Sequence, residues 1–186
     1  IIALFATHLT KLNKTNSKFP VITTVMSNLG FEKYLLNKLK IKLKRSSVGD
    51  INVIKEMGKF NSILGGEQSG HIILSNFSKT GDGILAALKV IEIISKNNKT
   101  TSKSFRLYES FPQNKVNISY KKVLTKNLKF IENLNKEKLK DKNMRILIRK
   151  SGTEPLIRLL VEGRDINKVQ EYSKYYEKKI RIKLEK

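Results

Sequence analysis

The 186-residue chain contains no cysteine and no tryptophan. Without cysteine there is no disulfide framework, no thiolate metal site and no thiol nucleophile. That absence fits a reducing compartment, and the expected location is the cytoplasm. Long apolar runs are missing too. The longest, "ILAALKVIEII" at 84–94, is broken by Lys89 and Glu92. It falls short of the roughly 18 apolar residues of a membrane span. The first residues, "IIALFATHL", carry no basic flank and no small-residue cleavage site, so they do not read as a signal peptide. Acidic residues are scarce: 16 Asp plus Glu stand against 38 Lys plus Arg, a net charge of +22.

Such a charge invites a polyanion, either nucleic acid or an anionic membrane. Its distribution argues otherwise. Most of it is lysine, spread from Lys11 to Lys186, and no basic block is interleaved with aromatics for base stacking. A drift of composition toward Lys, Asn and Ile accounts for it. Neither nucleic acid nor membrane is therefore an expected partner, although the field still draws small anions to the surface. What is present suffices for a packed core: 39% of residues are hydrophobic and 8% aromatic. The length admits one domain or two small ones.

Strand-like and helix-like stretches alternate through the first half. Residues 2–12 are amphipathic, "FPVITTVM" is β-branched, and Asn28 offers an N-cap to a helix with an apolar face of Leu29, Tyr34, Leu35, Leu36 and Leu39. "IKLKRS" alternates as a strand, and "VGD" turns into a helix that Asp50 should cap. "SILGGE" and "HIIL" are strands, and "TGDG" opens the helix at 84–95. This order predicts an α/β domain with a mixed or parallel sheet flanked by helices. The polar stretch 95–104 reads as a loop or domain edge. Beyond it come a strand (114–120), a helix (127–139), two strands in "MRILIRK" and "LIRLLVEG", and a long helix capped by Asp165. That order predicts a smaller α+β domain. The two domains are expected at 1–104 and 105–186.

Two loops carry the chemistry. In "RKSGTEPLIR", Arg149 and Arg158 bracket a turn with hydroxyls at Ser151 and Thr153. Gly152 lets a backbone approach a ligand. Arginine forks, hydroxyls and free N–H groups in one turn suit a phosphate. In "GGEQSGH", Glu67 can accept hydrogen bonds from two neighbouring hydroxyls, Ser69 can donate or accept, and His71 can donate to a phosphate or move a proton. A carboxylate on a vicinal diol is a sugar-recognition device. Taken alone, each feature has a plainer reading. "SGTEP" is also an ordinary hairpin turn, Glu67 and Ser69 a capped turn, His71 a structural histidine and "TGDG" a helix start. Together the loops point to a polyol carrying phosphate.

In their order, "TTVMSNLGFEKYL", "VGD", "GGEQSGHIIL", "KTGDGILAAL" and "RILIRKSGTEPLIRLLVEG" resemble the α-D-phosphohexomutases. The resemblance spans nearly the whole chain and is weakest over 95–143. "VMSNLG" and "VGD" favour the bacterial glucosamine-phosphate members over the mannose and glucose ones. The resemblance implies the last two of four domains, the fourth being a small sheet with helices on one side. Glu67, Ser69 and His71 would form the sugar loop. Arg149, Ser151, Gly152, Thr153 and Arg158 would hold the non-reacting phosphate of a hexosamine phosphate. The family's phosphoserine and the loop that binds Mg2+ belong to its first two domains. No aspartate-rich run or Ser-His-Asn loop occurs here. The chain, which begins at Ile1 rather than Met, is expected to lack the N-terminal half as its partner and to turn over nothing alone. One departure stands out: Ile51 occupies a position where the family often has a basic residue, which Lys44 or Arg45 would have to replace. The competing expectations are a mannose- or glucose-phosphate member of the family, a sugar-phosphate binding module without catalysis, and a basic nucleic-acid binder.

Overall fold

β-Branched and aliphatic residues build the first sheet, and small polar residues end its strands. A computed structural model describes residues 1–12, 19–97, 100–120, 125–136, 139 and 141–184. It divides into two units, 1–110 and 111–186. The first unit begins with α1 (Ile2–Lys11), β1 (Val21–Thr24), α2 (Leu29–Leu39), β2 (Leu43–Ser46) and α3 (Asp50–Phe60). It continues with β3 (Leu64–Gly66), β4 (Ile72–Leu74), α4 (Gly83–Ser95) and α5 (Thr101–Phe105). The strand order is β2-β1-β3-β4. β1 is parallel to β2 and β3, and β4 returns antiparallel to β3. The sheet is therefore mixed.

Alternation along each strand assigns the two faces. Val21, Leu64, Ile72 and Leu74 pack with α1, α2 and α4, where Phe5, Leu35 and Ile93 are buried. Ile22 and Ile73 face the other way, against Val53 and Met57 of α3. Each such aliphatic side chain contributes about 1.5–3 kcal/mol of burial. The caps follow local chemistry. Asn28 Oδ1 accepts from Gly30 N, and Asp82 Oδ1 accepts from Leu85 N.

The structure corrects three expectations in this unit. Asp50 is not the cap of α3 but its first residue. Gly49 sits at the cap position, and Asp50 Oδ1 closes on the adjacent Ile51 N. Leu36 is half exposed, while Phe31, outside the apolar face read from the sequence, is buried in the core. Residues 101–105 are a short helix rather than loop, and α5 packs on α1. The units accordingly part between Ser110 and Phe111, later than residue 104.

The second unit holds β5 (Gln113–Ser119), α6 (Thr125–Lys136), β6 (Met144–Lys150), β7 (Leu156–Gly163) and α7 (Ile166–Leu184). Residues 137 and 138, at the end of the helix expected over 127–139, lie outside the described residues. β7 is central, antiparallel to both β5 and β6. Ile148, Ile157, Leu159 and Val161 share a core with Ile131, Leu134, Val169, Tyr176 and Ile180, so both helices cover one face of the sheet. Asp165 Oδ1 accepts from Asn167 N and Lys168 N at the start of α7. The fold class read from the sequence is the one observed: a mixed α/β unit, then an antiparallel sheet with helices on one side.

Candidate functional site

Three parallel strands of the first unit end along one edge of the sheet. Thr24 is level with Ser46, and Thr23 with Gly66. The loops that follow β1, β2 and β3 therefore converge there, and such edges are where α/β sheets collect ligands. The loop after β3 is Glu67 to His71. It is a tight hairpin: Glu67 N donates to His71 O at 2.8 Å, and Gly70 N donates to Glu67 O at 3.1 Å. At Gly66 a side chain has no room, because a Cβ would stand 2.4 Å from His71 O.

The hairpin gathers the three residues expected for sugar recognition. Glu67 is half-buried, and Ser69 and His71 are exposed. Ser69 Oγ and His71 Nδ1 are 3.4 Å apart, a long hydrogen bond. Glu67 Oε2 accepts from Gly49 N, in the loop after β2, at 3.2 Å. One carboxylate oxygen is thus already engaged by the protein. A cavity of about 240 Å³ adjoins the hairpin, lined by Glu67 and Gln68, by Ser27 and Asn28 of the loop after β1, and by Phe31 and Tyr108.

Arg45 braces this edge from β2. Its Nη1 donates to Glu32 Oε2 at 2.5 Å and its Nη2 to Ser27 O at 3.2 Å. Lys44 Nζ lies over the Phe60 ring, 5.2 Å from its centroid. The Arg45 terminal nitrogens are thus engaged, while its Nε is buried without a partner, and Ile51 is 75% exposed.

In the second unit the register decides the site. Arg149 of β6 lies directly opposite Arg158 of β7, and Asn117 of β5 is opposite Arg158 on its other side. By alternation all three side chains lie on the face away from α6 and α7. Like charges in direct cross-strand register repel. Arg149 has its pKa pushed down, first by burial and then by Arg158. Arg158 Nη2 pairs with Glu154 Oε2 at 2.5 Å, yet its Nε is buried without a hydrogen-bond partner. Buried donors in native proteins are nearly always partnered. Neither arginine of the pair can accept a hydrogen bond from the other, and the unpartnered donor can donate to an anion.

The loop between these strands, 151–155, is short and polar. Ser151 is buried and its N–H donates to Leu156 O at 2.8 Å. Gly152 and Thr153 are exposed, and a Cβ on Gly152 would meet nothing within 4 Å. Arg149, Ser151, Gly152, Thr153 and Arg158 are thus brought together on one hairpin. Glu67, Ser69 and His71 belong to the other unit. Sequence reading missed Glu154, Asn117, Gly49 and the contacts of Arg45 with Glu32 and Ser27. Glu154 lay inside a quoted motif, and its spacing of four from Arg158 could have flagged it. The other three depend on register or on long-range contacts. Among the described residues no group of three or more His, Asp or Glu could hold a metal ion. No helix there is long and apolar enough to cross a membrane.

Known proteins share this layout. Residues 1–111 match the phosphoglucomutase/phosphomannomutase α/β/α domain III, and residues 114–178 match the C-terminal domain of the same family. The phosphoglucosamine mutase of Fusobacterium nucleatum is 46% identical over 152 residues, 78% of this chain and 33% of that protein. That of Campylobacter fetus is 44% identical over 185 residues, 95% of this chain and 40% of that protein. The chain thus spans about a third to two-fifths of the length of these relatives. Among solved structures, Aspergillus fumigatus N-acetylphosphoglucosamine mutase superposes with a TM-score of 0.78 at 16% identity, covering 98% of this chain and 43% of that one. An N-acetylglucosamine-phosphate mutase in its substrate complex gives 0.72 at 22% identity, covering 96% and 42%. At these identities the structural likeness concerns the fold alone. The sequence matches go further: the chain belongs to the phosphoglucomutase/phosphomannomutase family, of which it carries domain III and the C-terminal domain.

Proposed function

We propose that this chain is the sugar- and phosphate-binding part of a cytoplasmic phosphoglucosamine mutase, which interconverts glucosamine 6-phosphate and glucosamine 1-phosphate. The observation that carries the proposal is the facing pair Arg149 and Arg158, with a buried Nε that has no partner. Two adjacent guanidinium groups read charge and tetrahedral oxygen geometry and little else. That suits a reaction in which either end of the sugar must present its phosphate to one site. Ser151, Thr153 and the backbone at Gly152 supply further donors. Glu67, Ser69 and His71 take the sugar hydroxyls. Positioning and charge neutralisation supply most of the catalysis in phosphoryl transfer.

The full reaction proceeds through a phosphoserine enzyme and a bisphosphate intermediate. On this reading the serine nucleophile and the magnesium ligands belong to the preceding part of the full-length protein. The isolated chain then binds but does not turn over. Calorimetric titration of the 186-residue chain with glucosamine 6-phosphate tests this. Binding is expected, with loss in Arg149→Ala plus Arg158→Ala and weakening in Glu67→Ala. Turnover by the chain alone in a coupled mutase assay would contradict the division of labour. Salt-sensitive DNA binding that survives both arginine substitutions would favour a polyanion role instead. The family description also covers glucose and mannose phosphates. A full-length protein that turns over either of those fastest would move the assignment to phosphoglucomutase or phosphomannomutase.

A further inference from the structure

The hydrogen bond from Gly49 N to Glu67 Oε2 has a second half. The Gly49 N–H shares a planar peptide unit with the Val48 carbonyl, and in a trans unit the two groups point in opposite directions. Asn52 Nδ2 donates to Val48 O at 2.8 Å, while Gly49 N donates to Glu67 Oε2 at 3.2 Å. One peptide plane is therefore held at both ends, by a side-chain amide on one and by the carboxylate on the other. The next peptide is fixed as well, since Gly49 O accepts from Asn52 N at 3.0 Å and from Val53 N at 3.2 Å. Gly49 has φ of +114°, a conformation that L side chains rarely adopt. The turn is thus held by Asn52 from both its backbone and its side chain.

Glu67 is equally constrained from its own side. Its backbone N–H and carbonyl are both engaged within the hairpin. Only the side-chain torsions remain, and Gly49 N ties one of the two oxygens. Oε1 takes no hydrogen bond from the described residues. Ordering a glutamate at the moment of binding costs affinity, because several rotatable bonds must be fixed together. Here that ordering precedes the ligand.

We infer that Asn52 is a positioning residue for Glu67: through the Val48–Gly49 peptide it fixes one carboxylate oxygen and leaves the other for a ligand hydroxyl. The inference rests on the reading of Glu67 as the sugar-binding carboxylate. It adds a residue that lies outside both loops and reaches the ligand only through backbone.

Asn52→Asp tests it, because aspartate keeps the size but cannot donate to the Val48 carbonyl. An acidic side chain in the first turn of a helix favours that helix. A purely structural account therefore predicts a small net change in stability and no selective loss of affinity for glucosamine 6-phosphate. The positioning account predicts a small net change in thermal stability, together with a roughly tenfold higher dissociation constant for glucosamine 6-phosphate, the effect of one lost hydrogen bond. Affinity for inorganic phosphate should not change. Asn52→Ala, which adds no charge, should weaken glucosamine 6-phosphate to the same extent. The amide proton resonance of Gly49 should move in Asn52→Asp and in Glu67→Ala alike. A Gly49 resonance that stays put in Glu67→Ala overturns the inference, as does unchanged glucosamine 6-phosphate affinity in both Asn52 variants. Failure of the sugar-loop reading looks different: Glu67→Ala itself would then bind glucosamine 6-phosphate normally, and the positioning role would fall with it.

Discussion

The two hairpins use opposite strategies. The hairpin at 67–71 is closed on itself, with backbone donors matched to backbone acceptors and its carboxylate tied to Gly49 N. The hairpin at 151–155 is also pinned at its base, by Ser151 N to Leu156 O, but residues 152–154 are exposed. It sets two arginines face to face and leaves a buried guanidinium nitrogen without a partner. A neutral, hydroxyl-bearing ligand offers many similar hydrogen bonds, so selecting it needs fixed acceptors. A phosphate offers charge, so binding it needs only concentrated donors. The first hairpin is organised by geometry and the second by electrostatics.

Glycine substitutions should expose this contrast most strongly. In Gly66→Ala the new Cβ meets His71 O at 2.4 Å, and Ile2 Cδ1 and Ile72 Cα at 3.2 and 3.3 Å. Backbone cannot yield cheaply, so the base of the hairpin must open. A loss of about 2–4 kcal/mol is expected in urea unfolding. Gly152→Ala meets nothing, and its stability should stay within about 0.5 kcal/mol of the unaltered chain. Equal losses at the two positions would erase the distinction.

Charge substitutions should act in the reverse sense. Arg158→Ala removes the repulsion on Arg149, so stability should hold or rise. Its affinity for inorganic phosphate should fall by roughly 10- to 100-fold, as expected for lost charge-assisted hydrogen bonds. Calorimetry with phosphate and thermal unfolding of the same sample give both numbers. Glu154→Gln should do the opposite on a smaller scale. Glu154 competes with any anion for Arg158, its partner at 2.5 Å. Freed of that pair, which is largely exposed and so of modest strength, the loop should bind phosphate a few-fold more tightly. Weaker binding in Glu154→Gln would show that the carboxylate orients Arg158 rather than competes for it.

What the sequence disclosed depended on range. The caps at Asn28, Asp82 and Asp165 act on amides two or three residues ahead, and their pattern is readable in the chain itself. The cap expected at Asp50 failed because Gly49, with its positive φ, turned the chain one residue earlier. "SGTEP" announced a polar turn between arginines. That Arg149 and Arg158 stand directly opposite follows only from the β6–β7 register. The Gly49–Glu67 bond spans eighteen residues and joins two loops through backbone, so no motif could disclose it. Leu36 and Phe31 show the limit of periodicity: Leu36, read as part of the apolar face of α2, is half exposed, and Phe31, not read as part of it, is buried beside Tyr108.

The smallest effect concerns carboxylates away from the hairpins. Glu92 on α4 accepts from Lys89 and Lys96, both at 2.8 Å, and these hydrogen bonds lower its pKa to about 2 from an ordinary 4.5. The folded chain therefore binds this proton more weakly than the unfolded chain. Above pH 4.5 both states are ionised and the contribution of Glu92 is fully present. As the pH falls toward 2 the unfolded state takes up the proton first, and the contribution is lost across that window. The group is well exposed, so salt should screen it. Thermal unfolding of the first unit between pH 4.5 and 2 should decline slightly less steeply in Glu92→Gln than in the unaltered chain. That difference should disappear in concentrated salt. Persistence in salt would mean that Glu92 acts through its direct hydrogen bonds to Lys89 and Lys96 rather than through the screened charge of the pair.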